Sequence, residues 1–351
     1  MRTLVVDSHR HFTGTLPAWF ICAEARNRRT EPQVAQAVLK LVGDHVLTPD
    51  GFREACKRAL VRETPAYKPF FELYELVQAI TKPRDSNCED FYYRAGRAIA
   101  AQIRRERTSV CLIMGMHPDI DILERRVRNT ILGAATLCRS VTSIQVRVTF
   151  IRSSDGSFKN LSPSLIDALF ALVDRHSELE GYIEGIDFCG VEFPHEPQPI
   201  FDALEQIRTH NNYRASRSRR RLEVSVHAGE DLVCSSLAAQ LTFLEELCTR
   251  SCGPQAIAHG TLLWIRAEDA GLDSEQQRRR EACLQAMATK GIALEICPTA
   301  NLRMTPLSRR RYIPVGKLVR AGVRVKLGSD NPVLLGTTIR REVLATMERR
   351  Q

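Results

Sequence analysis

The chain has 351 residues, 44% of them hydrophobic, and 50 Lys+Arg against 41 Asp+Glu give it a net charge of +9. That is enough apolar content for a sizeable core in one large domain or two ordinary ones, and the charge permits an anionic ligand or nucleic acid without demanding either. Eleven cysteines are present without paired CxxC motifs, and Cys111, Cys189 and Cys297 lie inside apolar runs, so a disulfide framework is excluded and a reducing compartment expected. The start, MRTLVVDSH, does not read as a signal peptide, and no stretch is long and apolar enough to span a bilayer. The expected location is the cytoplasm.

The first apolar run, Leu4-Val5-Val6, leads straight into DSHRHFTG, Asp7 to Gly14. This pattern predicts a buried strand that delivers His9 and His11 at its end, and residues two apart on a strand share a face. Two imidazoles so placed suit zinc or another borderline metal, although such a pair also occurs as surface or packing residues. Helical spacing follows: a start near Pro17, then Glu31 to Leu60 broken at Gly43 and Thr48-Pro49, then Pro69 to Ile80, then Glu89 to Thr108. From Ser109 the chain settles into a rhythm. Apolar runs begin at Ser109, Ile144, Gly181, Leu222, Gln255, Ile292 and Val323, and with the first they number eight. Helical patterns separate them at Ser162–Arg175, Pro199–His210, Leu232–Thr249, Glu275–Thr289 and Pro314–Ala321. Alternating strands and helices mean parallel pairing with crossover helices. Eight strands match an α/β fold of the closed (β/α)8 TIM-barrel type, with a helical insertion after the first strand at about residues 15–108 and the whole chain, 1–351, as one barrel domain. A doubly wound open sheet is the alternative, but neither GxGxxG nor GxxxxGK[ST] occurs, which weakens any nucleotide-cofactor reading.

The run ends are polar. They carry His9 and His11, His227 with Glu230, His259, and Asp330 with Asn331. In a barrel these ends converge on one mouth. Each residue has a plain structural use: a histidine can satisfy a loop carbonyl, Glu230 can cap a helix, and Asp330 can form an Asx-turn before Pro332. As a set they have the composition of a metal-assisted hydrolase, with imidazoles and a carboxylate around a divalent ion, one histidine beside it, and a carboxylic acid held protonated by a dry pocket.

The motifs HRHFTG (9–14), DFCGVE (187–192), SVHAGE (225–230), IAHG (257–260), EICPTAN (295–301) and LGSDNP (327–332), in this order over nearly the full length, resemble the adenosine/AMP deaminases of the amidohydrolase superfamily. The resemblance implies one Zn2+ per chain held by His9, His11, His227 and Asp330. It implies that Glu230 protonates purine N1, that His259 works with Asp330 beside the reacting water, and that Gly190 contacts the purine ring through its backbone. His11, Thr13 and Asn331 are expected to face the substrate with it. The expected reaction is hydrolytic deamination of a 6-aminopurine nucleoside to the 6-oxopurine and ammonia, with AMP, adenine or a modified adenine nucleoside or nucleotide as the alternative.

Two positions depart from the family pattern. Thr13 stands where family members often carry an acid, and this removes a negative charge that would repel a 5′-phosphate. Asn331 replaces the second Asp of the terminal pair, and an amide can still donate to a ring nitrogen. Basic runs at Arg278–Arg280 and Arg309–Arg311 could serve an anionic tail, or simply be solvated helix faces. A third cluster, Arg217 to Arg221, lies just before the fifth run, on the face opposite the predicted mouth, and no RNP, zinc-finger or helix-turn-helix pattern accompanies it. The expected partner is therefore a small purine, with no membrane and no nucleic acid, and a homo-oligomer is left open. No lysine stands at a run end to bridge two metals, since Lys326 lies two residues before Gly328, so a single metal is expected.

Overall fold

The computed structural model describes residues 5–61, 67–83, 88–137, 144–153, 157–192, 196–232, 236–304 and 313–347. Nine strands form one sheet: β1 (Val5–His11), β2 (Thr108–Gly115), β3 (Ile144–Arg152), β4 (Phe158–Lys159), β5 (Ile183–Gly190), β6 (Glu223–Ala228), β7 (Ala256–His259), β8 (Ala293–Ile296) and β9 (Arg324–Leu327). The order is β1-β2-β3-β5-β6-β7-β8-β9, every neighbouring pair parallel, with β4 folded back antiparallel on β3. All eight runs are strands of this path. The ring is nearly closed by the segment after β9, where the Asp330 N–H donates to the His9 carbonyl and the His11 N–H to the Asp330 carbonyl, both at 2.8 Å. The fold is thus the (β/α)8-like barrel.

Between β1 and β2 run the helices Ala18–Asn27, Pro32–Val42, Pro49–Val61, Tyr67–Thr81 and Cys88–Glu106, which make up the helical insertion. Local chemistry sets their ends. Pro32 sits at the first turn of its helix, and Gly43 ends it in the left-handed conformation. The buried face Val34, Ala37, Val38, Leu41 follows the helical period. The later crossover helices carry their own caps, such as Ser162 accepting from the Leu165 N–H, and the Asp273–Gln276 capping box.

Several elements lie outside the runs read from sequence, among them short helices such as Thr261–Trp264 and Pro298–Met304 and three larger or structurally distinct ones. The helix Ile120–Ala135 joins β2 to β3, and its buried Leu123, Val127, Ile131 and Ala134 keep helical spacing within a charged sequence. The β4 hairpin is too short for any periodicity to reveal. The helix Ile339–Thr346 follows the last strand, with Ile339 and Glu342 buried. Among the described residues the cysteines are buried free thiols, and no helix is long and apolar enough to cross a membrane.

The arginine clusters have local partners. Arg278 pairs with Glu275 on its own helix, Arg279 with Glu245 of the neighbouring helix, and Arg280 donates to the Ile265 carbonyl. Arg219 pairs with Asp174, Arg220 donates to the Glu180 and Ile183 carbonyls, and Arg217 lies over the Tyr213 ring. These contacts give the side chains structural work. The Arg309–Arg311 run lies outside the described residues.

Candidate active site

The carboxyl ends of β1, β6 and β7 bring four imidazoles together. Ring centroids are 5.3 Å apart for His9 and His11, 4.8 Å for His9 and His227, 5.2 Å for His9 and His259, and 5.0 Å for His227 and His259. Asp330 joins them because its backbone is bonded to β1 on both sides, and its carboxylate lies 3.3 Å from His11 Nε2. Residues separated by three hundred positions in sequence are therefore fixed to each other by the hydrogen bonds that close the barrel. His259 and Asp330 both adopt left-handed backbone, at φ 63° and 59°. Non-glycine residues adopt this at a cost of about 1–2 kcal/mol each, and such outliers cluster at functional sites.

Two trios have donor atoms close enough to share an ion: His9–His11–His227 and His9–His259–Asp330. Hydrogen bonding separates them. His9 Nδ1 faces Glu295 Oε2 at 3.2 Å, and His227 Nδ1 faces the Phe188 carbonyl at 3.2 Å and Asp187 at 3.4 Å. Those partners are acceptors, so both Nδ1 atoms carry hydrogen and both Nε2 lone pairs are free. The two Nε2 atoms are buried with no hydrogen-bond partner, which is how a metal-binding histidine is usually held. His259 is set the other way. Asn301 Oδ1 accepts from the Cys297 N–H at 3.0 Å, which turns its amide nitrogen toward His259 Nδ1 at 3.2 Å. His259 Nδ1 is then an acceptor, and in the neutral ring the hydrogen sits on Nε2, so that atom cannot also be a ligand. The donor set His9, His11 and His227, with Asp330 beside it, fits a divalent ion.

Charge tuning follows burial. Burial and the neighbouring His9 and His227 push His11 well below the ordinary histidine range, and burial with His227 and His9 does the same to His259, so both rings are neutral. Burial alone would lower His9, but hydrogen bonding and attraction to Glu295 raise it. Burial raises Glu230 well above the ordinary Glu value, and Asp330, Glu192 and Asp231 add to this, which favours its protonated form. Its Oε1 is 3.7 Å from His259 Nε2. The Glu230 and Asp231 backbone N–H groups both donate to Glu192, which fixes the turn that carries the acid. Burial would raise Asp187, yet the His227 ring, His9 and the Ser225 hydroxyl hold it well below the usual range, and the Thr149 hydroxyl also donates to it.

The remaining expected positions also gather at this mouth. Gly190 ends β5 at φ 100°, and a Cβ there would strike the Arg152 backbone, so only glycine fits. Asn331 donates one amide N–H to Asp330 Oδ1 at 2.7 Å, while its Oδ1 is buried without a partner. That amide packs on Gly14, where a Cβ would overlap it. Gly14→Ala is therefore expected to dislodge Asn331 and lower kcat/KM by about tenfold with metal content unchanged; parent-like kinetics would show that the Asn331 amide does not matter. Thr13 is half-buried and hydrogen-bonds the Tyr74 hydroxyl from the insertion, whose pKa burial pushes up to about 12.

Sequence reading alone did not assign Asp187, Glu192, Glu295 and Asn301, although all four stand in the quoted motifs. Buried acidic residues inside apolar strands were the available signal. Nothing in sequence pointed to Tyr74.

A polar barrel mouth with converging histidines and a strand-end aspartate is the architecture of the metal-dependent hydrolases of the amidohydrolase superfamily. The adenosine deaminase family profile matches residues 6–350, and the chain belongs to that family. An adenosine deaminase of Mycolicibacterium gilvum is 25% identical over 166 residues, 47% of this chain and 40% of that protein. One of Mycobacteroides abscessus is 27% identical over 164 residues, with the same coverage. These matches thus span well under two thirds of the curated relatives. Among solved structures, the Arabidopsis N6-mAMP deaminase superposes with a TM-score of 0.63 at 15% identity, over 97% of this chain and 86% of that one. The adenine deaminase of Arthrobacter aurescens gives 0.60 at 17%, with the same coverage. An Arabidopsis relative complexed with IMP gives 0.63 at 15%, over 97% and 85%. At these identities the likeness concerns the fold.

Proposed function

We propose that this protein is a zinc-dependent aminohydrolase that converts a 6-aminopurine to the 6-oxopurine and ammonia. The observation that carries this is the pair of buried, unpartnered Nε2 atoms of His9 and His227, close to His11 and Asp330, with Glu230 Oε1 3.7 Å from His259 Nε2. His9, His11, His227 and Asp330 would hold one zinc. When bound, zinc supplies a water acidic enough to act as hydroxide near neutral pH.

The protein's own groups do the rest. Glu230 delivers its proton to ring N1, which makes C6 electron-poor and leaves the purine neutral after addition. His259, neutral and carrying hydrogen on Nε2, donates a hydrogen bond to the attacking oxygen and so orients it toward C6. Asp330, with its carboxylate beside His11, accepts a proton from that oxygen. The proton is passed to the amino group at C6, which leaves as ammonia. The Gly190 backbone and the second Asn331 N–H border the ring edge, and the buried mouth keeps bulk water from the reacting carbon.

For the substrate, we favour AMP, adenine or an N6-modified adenine derivative over adenosine itself. Thr13 places no charge where an acid would repel a phosphate. The solved relatives of like fold include an N6-mAMP deaminase, an adenine deaminase and a complex with IMP. The curated sequence relatives named adenosine deaminase support adenosine as the second reading. Purified enzyme should form the 6-oxopurine from at least one member of a panel of adenosine, AMP, adenine and N6-methyl-AMP, with release of ammonia from the first three or of methylamine from the last. A higher kcat/KM for adenosine than for the other three would overturn the preference, and no release from any would overturn the deaminase reading.

A further inference from the structure

The layer of the barrel beneath the histidines is charged where barrel interiors are usually filled by branched aliphatic residues. Arg147 of β3 is 1% exposed, and its guanidinium spans the barrel. Nη1 donates to both Glu295 oxygens at 2.8 Å, Nε to Glu184 at 2.7 Å, and Nη2 to Glu223 at 3.4 Å. Lys326 of β9 reaches the same carboxylates, at 2.9 Å from Glu223 and 3.6 Å from Glu295. Strands β3, β5, β6, β8 and β9 are joined through this floor. Below it, at the amino-terminal end of the barrel, lies a cavity of about 480 Å³ whose lining includes Ser8, Cys111, Gln145, Glu184 and Lys326. The floor therefore has a solvated side and a dry side, and Glu295, fully buried, is its contact with the dry side.

We propose that Arg147 is a positioning residue for the metal site: by gripping both oxygens of Glu295 it holds that carboxylate against His9 Nδ1 and so keeps the His9 Nε2 lone pair turned into the ligand cluster. The physical reason is that a buried carboxylate is tolerated only with a counter-charge and well-made hydrogen bonds. Arg147 supplies them through Nη1, 2.8 Å from both Glu295 oxygens, while its Nε and Nη2 are anchored on Glu184 and Glu223, whereas Lys326 is a single, more distant point charge. Without Arg147, Glu295 is free to turn toward Lys326 and away from His9, and the His9 ring loses the acceptor that fixes its tautomer. The inference rests on His9 being a metal ligand, as proposed above.

The test uses the zinc-loaded full-length protein and reads zinc release into a chromophoric chelator, independently of turnover. Removing a group that orients a metal ligand typically weakens metal binding by about 10–100-fold. Arg147→Met is expected to speed release by that factor, and Arg147→Lys to recover part of it, because a cation again faces Glu295. A purely structural role would instead lower the melting temperature of the metal-stripped protein in both variants without separating their release rates. Parent-like release from Arg147→Met, or equal release from the Met and Lys variants, overturns the proposal. If Arg147→Met does not fold, Arg147→Lys decides: release several-fold faster than the parent supports the proposal and a parent-like rate overturns it. A parent that binds no zinc overturns the ligand assignment and this inference with it, whereas a parent that holds zinc beside an Arg147→Met variant that holds it equally well overturns this inference alone.

Discussion

Glu230→Gln is expected to keep its metal and to lose turnover by roughly 10²–10⁴-fold, the usual contribution of a positioned proton donor. Gln fills the same volume and can still donate an N–H to a ring nitrogen, but it cannot give up a proton. The loss should fall on kcat, because proton delivery matters in the transition state more than in the bound substrate. A stability effect of opposite sign accompanies it. Glu230 has a pKa in the folded protein well above that of an ordinary Glu. In the metal-stripped protein the folded state then binds the extra proton, so stability is full below the unfolded pKa and falls as pH rises through the folded one. Glu230→Gln removes this slope, so the stripped variant should melt at or above the parent at pH 8. Undiminished turnover in the variant would take away the acid role.

His227→Ala is expected to lose both metal and activity. Its Nε2 is one of the two buried nitrogens with no partner, and its Nδ1 is fixed by the Phe188 carbonyl and Asp187. Removing one of the four proposed ligands should leave a site that a chelator empties readily, and turnover should drop below detection at substoichiometric zinc. His259→Ala should behave differently. With Asn301 holding its Nδ1 as an acceptor, the proposed role of His259 is that of an orienting donor outside the ligand set, so zinc content should match the parent while kcat falls. Metal loss from His259→Ala equal to that from His227→Ala would mean that the His9–His259–Asp330 trio is the one that binds.

The barrel is legible in the sequence because its strands are short apolar runs, each stopped by a polar cluster, and parallel pairing needs a helix between them. The site is legible for the same reason, since the polar residues that end strands in a barrel face one mouth. The supporting residues are harder to read. Glu295 and Asp187 sit within strands, where alternation says only which way a side chain points. Their use depends on which strand lies across the barrel: Glu295 meets Arg147 over 148 positions of sequence. Tyr74 comes from an insertion helix whose spacing encodes burial against its neighbours, and nothing in that spacing records that its hydroxyl meets Thr13. The Ile120–Ala135 helix keeps its period in its buried residues, but Glu124, Arg125, Arg126 and Arg128 break up the apolar signal. The arginine runs mislead in the opposite direction, because composition cannot distinguish a cation that awaits a ligand from one that ties two helices together.

The central claim is that these imidazoles and Asp330 hold one catalytic divalent ion. Its most direct test is to measure zinc per chain and release of the amine (ammonia, or methylamine from N6-methyl-AMP) from the same panel on one preparation, before stripping, after stripping and after zinc is restored. The account predicts one zinc per chain, release abolished on stripping, and release recovered in proportion to the zinc returned. Amine release that persists in fully stripped protein, or a chain that takes up no divalent metal, would contradict it.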